Sequence, residues 1–170
     1  MSALISDETS TMTRLTAPSI PVAQSDSPTN KRWRVLLVDD DAAIRAVLRG
    51  LLEQHADLQV VGEASDGEEA VGSAERHRPD VILMDIHLPR ASGVEATRYI
   101  KNKLPQSIII GVSCLYNPQT YNAMLAAGAV AFVSKEDVVG ALYKTVAFAM
   151  RAYRPKRLLT SRDPEVDGQR

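Results

Sequence analysis

Only one cysteine, Cys114, occurs in 170 residues, so no disulfide within the chain can hold it together. Its three histidines are scattered and form no zinc site. There is no run of eighteen or more apolar residues, and residues 1–30 lack the apolar centre of a secretory signal. Neither membrane insertion nor export is expected, which makes a reducing cytoplasm the expected compartment. No sign of charge prevails either: 20 Lys and Arg against 21 Asp and Glu leave a formal charge of −1, which gives no general attraction to nucleic acid. Arg151, Arg154, Lys156, Arg157 and Arg162 make the C-terminal end locally basic, in keeping with a solvated tail.

What the chain does have is 45% apolar and 24% charged residues, the balance of an ordinary one-domain protein. A domain of about 120 to 150 residues buries roughly two-thirds of its unfolded surface and needs neither disulfide nor structural metal. Residues 1–31 are rich in Ser, Thr and Pro, and their isolated apolar residues fit no period, so they are expected to be disordered. Residues 155–170 are expected to be a flexible tail, leaving a folded unit at 32–154.

Within that unit, β-branched runs at Val35–Val38, Leu58–Val61, Val81–Met84, Ile108–Val112 and Val130–Val133 alternate with amphipathic helical segments. On the first helix Ile44, Val47, Leu48, Leu51 and Leu52 form an apolar stripe opposite Arg45, Arg49 and Glu53. Ser65 and Glu68 fit a capping box for the second helix. Gly93 precedes a third that Pro105 stops, and Asn117-Pro118 and Gly128 suit the two ends of a fourth. The fifth runs from about Asp137 to Tyr153, with Val139, Leu142, Tyr143, Val146 and Met150 inward and Phe148 outward. Five strands alternating with helices predict an α/β protein, a (βα)5 doubly wound parallel sheet of order 2-1-3-4-5. Such a sheet takes its ligand outside the carboxyl ends of the strands, at the switch between β1 and β3.

The residues at those ends carry the chemistry. Strand 1 runs into Asp39-Asp40-Asp41 and strand 3 into Asp85. Carboxylates so close repel unless a cation sits among them, and an all-oxygen cluster suits Mg²⁺. Asp41 is expected to cap the first helix instead. A nucleotide site at this turn would need a glycine-rich loop to receive phosphate, and three acids stand there. Strand 4 ends at Ser113, whose hydroxyl can donate to a phosphoryl oxygen, and strand 5 at Lys135, whose ammonium can pair with one.

Val38-Asp39-Asp40, the run from Asp80 through Met84-Asp85-Ile86-His87-Leu88-Pro89, Ser113, and Phe132-Val133-Ser134-Lys135 together resemble the receiver domains of bacterial two-component response regulators, over about residues 33–150. The resemblance implies a flavodoxin-like fold, like the receivers of helix-turn-helix response regulators. It implies Asp85 as phospho-acceptor, and Mg²⁺ held by Asp40 and Asp85 directly, by Asp39 through water, and by the backbone carbonyl of His87, whose ring is then free to face solvent. Ser113 and Lys135 would bind phosphoryl oxygens, with Ser113 and Phe132 as the switch pair. The implied donor is a sensor histidine kinase or a phosphotransfer protein. The implied output is a downstream protein or homodimer contact on the face of helix 4, strand 5 and helix 5, with Phe148 a candidate contact. The protein would be no enzyme beyond its own phosphotransfer and dephosphorylation.

Three positions depart from the pattern. Glu136 stands where many receivers have Pro, Ser113 replaces Thr, and Cys114 replaces a small residue and is expected to be a buried, inert thiol. A haloacid-dehalogenase-like phosphatase would need a second Asp two positions after Asp85, and that position is His87. A degenerate docking receiver is opposed by the intact set of acids, Ser113 and Lys135. Only 17 residues follow Tyr153, too few for a helix-turn-helix module, so output through protein contacts is expected unless the chain is a fragment of a DNA-binding regulator.

Overall fold

The computed structural model describes residues 32–114 and 117–153. The segments 1–31 and 155–170, expected above to lack structure, lie outside the described residues, as does most of the basic C-terminal cluster. Five strands and five helices alternate: β1 (Trp33–Val38), α1 (Ala42–Glu53), β2 (Leu58–Ala64), α2 (Gly67–His77), β3 (Val81–Asp85), α3 (Gly93–Lys103), β4 (Ile108–Ser113), α4 (Pro118–Ala127), β5 (Ala131–Ser134) and α5 (Val138–Ala152). All strand pairs are parallel, in the order β2-β1-β3-β4-β5.

Side-chain alternation divides the core into two layers. Val35, Leu37, Leu83, Ile110 and Val133 pack on Leu48 and Leu52 of α1 and on Leu142 and Val146 of α5. Leu36, Val38, Ile82, Met84 and Ile109 face Ala70, Ala74, Ile100 and Met124 of α2, α3 and α4. A strand buried on both faces must be apolar throughout, which is why β1, β3 and β4 read as continuous runs.

Several local expectations shift. The N-cap of α2 is Asp66, whose carboxylate accepts from Glu69 N, while Glu69 reaches back to Ser65 N and Oγ, so the Ser65–Glu68 box does not form. Gly93 is the first residue of α3, and the box there is Ser92 with Glu95. On α5 it is Val138 that enters the core, while Val139 is 76% exposed. Val47 of the α1 stripe is 48% exposed. Asn117 caps α4, with Pro118 in its first turn and Gly128 at its left-handed exit.

Candidate functional site

Register brings the strand-end residues to one edge. Val38 pairs with Met84, Asp85 with Val112, and Ser113 with Ser134. The chain therefore leaves neighbouring strands at Asp39, Asp85, Ser113 and Lys135 within one layer of the sheet. Gly93 makes this possible behind Asp85, because a Cβ there would stand 2.0 Å from the Asp85 carbonyl oxygen.

One carboxylate oxygen from each of Asp39, Asp40 and Asp85 lies within 4.8 Å of the other two. Asp39 and Asp85 are buried and Asp40 is exposed. Lys135 Nζ stands between the two buried acids, 2.7 Å from Asp39 Oδ2 and 2.8 Å from Asp85 Oδ2. It hydrogen-bonds Asp85 and pairs with Asp39 Oδ2, which is buried and has no other partner among the described residues. The other Asp39 oxygen accepts from Asp41 N, and Asp85 Oδ1 accepts from His87 N.

The electrostatics follow. Burial, reinforced by the charge of Asp85, raises the Asp39 pKa above the ordinary value despite the help of Lys135 and the Asp41 amide. Burial opposes the charge on Lys135, but hydrogen bonds to Asp39 and Asp85 outweigh it and raise its pKa. Three acids gather here, and the Lys135 ammonium is paired with two of them. Only oxygen ligands are offered, so a hard divalent cation such as Mg²⁺ fits the donor set.

Asp41 caps α1 by accepting from Ala43 N, and the His87 side chain is exposed. Ser113 and Phe132 line a cavity of about 120 Å³ together with Ile86, Thr120 and Tyr121. The Phe132 ring lies over Gly111, where a Cβ would meet it at 2.5 Å, and packs on Tyr121 with ring centroids 4.1 Å apart. Cys114 is exposed rather than buried, because it leaves the end of β4 beyond the last sheet pairing.

This arrangement has close relatives. The chain matches the response regulator receiver domain over residues 35–147. It belongs to the response regulator receiver family. The receiver is 40% identical over 111 residues to the protein-glutamate methylesterase/protein-glutamine glutaminase of Alkalilimnicola ehrlichii, covering 63% of this chain and 28% of that protein. It is 33% identical over 128 residues to the uncharacterized transcriptional regulatory protein YxjL of Bacillus subtilis, covering 75% and 59%. The crystal structure of the response regulator domain of Thermotoga maritima CheB superposes with a TM-score of 0.66 at 35% identity, covering 71% of this chain and 98% of that one. The receiver thus spans less than two-thirds of either of these two relatives. Among the described residues, no helix is long and apolar enough to cross a membrane.

Sequence reasoning missed Arg45 and Glu63. Arg45, which the helical pattern places opposite the apolar stripe, has a side chain only 17% exposed that donates to the Asp39 carbonyl and to Glu63. No local spacing signals this, since Glu63 lies on the neighbouring strand β2.

Proposed function

We propose that this receiver accepts a phosphoryl group on Asp85 from a sensor histidine kinase or phosphotransfer protein in the cytoplasm, as the phospho-acceptor unit spanning residues 32–154. The observation that carries this is the gathering of carboxylate oxygens of Asp39, Asp40 and Asp85 within 4.8 Å of one another, with one ammonium, Lys135, paired to the two buried acids. Burying like charges in this way costs stability and serves no packing purpose.

The Asp39, Asp40 and Asp85 carboxylates and the His87 carbonyl would hold Mg²⁺. When bound, the ion supplies charge neutralisation and orientation of phosphoryl oxygens. The Asp85 carboxylate attacks phosphorus in line, its O–P bond forms as the N–P bond of a phosphohistidine breaks, and the imidazole leaves with the electron pair. Lys135 offsets the charge on the equatorial oxygens, and the Ser113 hydroxyl donates to one of them. The protein catalyses only its own phosphotransfer and dephosphorylation.

Output runs through the face of α4, β5 and α5. Movement of Ser113 toward the phosphoryl group lets Phe132 turn into the cavity it lines, a two-state repacking. Phe148, 69% exposed on α5, is offered to a downstream protein or a second copy. A second arrangement, in which this receiver is one part of a longer regulator, is favoured by the length of its relatives.

Intact-mass measurement with acetyl phosphate tests the acceptor. One phosphoryl group is expected on the wild type in Mg²⁺, and none in EDTA or on Asp85→Asn. Equal labelling of wild type and Asp85→Asn would remove Asp85 from the role.

A further inference from the structure

The turn that carries Asp39 and Asp40 has to hold two acids toward a third against their mutual repulsion. Its backbone has few anchors. Asp39 N donates to Ala64 O at 3.1 Å, and Asp41 N donates to Asp39 Oδ1 at 3.0 Å. Asp40 is exposed, and among the described residues no hydrogen bond to its carboxylate is found, so the direction of that carboxylate follows its backbone.

Among the described residues, one side chain from outside the turn hydrogen-bonds that backbone. Arg45 Nη1 donates to the Asp39 carbonyl at 2.7 Å and lies 3.4 Å from the Asp40 carbonyl. Its Nε donates to Glu63 Oε2 at 3.0 Å, and Glu63 is itself held by Arg49 Nε and Nη2 at 2.9 and 2.7 Å. A surface ion pair alone is worth little. Here, however, Glu63 fixes one side of a planar fork whose other side points at the Asp39 and Asp40 carbonyls.

We infer that Arg45, oriented by Glu63, is a positioning residue that sets the Asp39–Asp40 turn and thereby the divalent-cation affinity of the site. This rests on the phospho-acceptor reading above. The sign of the effect is distinctive. As a positive charge near the cluster, Arg45 would by Coulomb's law alone weaken cation binding, so its removal would tighten binding. As a positioning group, its removal loosens it.

The test is Arg45→Met in the full chain, with Mg²⁺ titrated against backbone amide shifts in the absence of phosphodonor. About 10-fold weaker Mg²⁺ binding is expected, the loss typical when a group that orients a ligand is removed. Labelling by acetyl phosphate should slow at low Mg²⁺ and recover at saturation, a split that mere destabilisation does not produce. Arg45→Lys, which keeps the charge and one donor, should restore part of the affinity and keeps the test decisive if Arg45→Met fails to fold. Unchanged or tighter binding in Arg45→Met overturns the inference, as does an equal loss in Arg49→Met, which touches Glu63 but not the turn. A wild type that binds no Mg²⁺ and takes no label overturns the phospho-acceptor reading and this inference with it.

Discussion

At the amino edge of the sheet, buried and half-buried polar groups are hydrogen-bonded to the backbone. Ser107 Oγ donates to Pro79 O at 2.8 Å, Asp80 Oδ2 accepts from Arg34 N at 2.9 Å, and Lys101 Nζ donates to the carbonyls of Pro105 and Ser107 at 2.7 and 2.9 Å. At the carboxyl edge of the same strands, Asp39, Asp40 and Asp85 gather within 4.8 Å, and the Lys135 ammonium is paired with two of them. The strands and core layers are shared, so the fold itself does not require the mismatch. The contrast separates polar burial that stabilises from polar burial that waits for a ligand.

Three substitutions probe that contrast. The largest stability effect is expected at the amino edge: Ser107→Ala removes the donor to Pro79 O and should cost about 1–3 kcal/mol in urea unfolding. Mg²⁺ affinity should not change, and a change would mean that the two edges are coupled. At the carboxyl edge the sign reverses. Asp39→Asn leaves the Lys135–Asp85 pair intact and relieves a buried like-charge repulsion, so without Mg²⁺ it should stabilise by about 1 kcal/mol. A destabilised Asp39→Asn would show that the edge is matched after all.

The smallest effect concerns Glu63, beside the acid edge. Burial would raise its pKa, but hydrogen bonds from Arg49 and Arg45 outweigh burial and lower it below 4.5. A carboxylate depressed in the folded state contributes stability that is present above its unfolded pKa and lost as pH falls through the folded value. Glu63→Gln should therefore be less stable than wild type at neutral pH, and the gap should close as pH falls below 4.5. Unfolding curves at several pH values measure it, and a constant gap would contradict the assignment.

The amino acid sequence made most of the fold legible because strands buried on both faces must be apolar and the helices between them amphipathic. The strand order and the four strand-end positions follow from that pattern. Features one residue wide did not. Val138 and Val139 both lie near the edge of the α5 stripe, and small Ala149, which is buried, carries no apolar signal strong enough to choose between them. Ser65 and Asp66 are both good caps, and only the backbone selects Asp66. Arg45 resembled a solvent-facing charge because its partners come from the β1–α1 turn and from β2, contacts set by tertiary pairing rather than by helical spacing.

The most direct test is an amide chemical-shift map of the full chain with Mg²⁺, before and after beryllofluoride, a phosphoryl mimic. Shifts are predicted at Asp85, Ser113, Phe132 and Lys135, with Asp80 and Ser107 at the opposite edge unmoved and no response in Asp85→Asn. An unresponsive carboxyl edge, or the same response from Asp85→Asn, would contradict the assignment of this edge as the phospho-acceptor site.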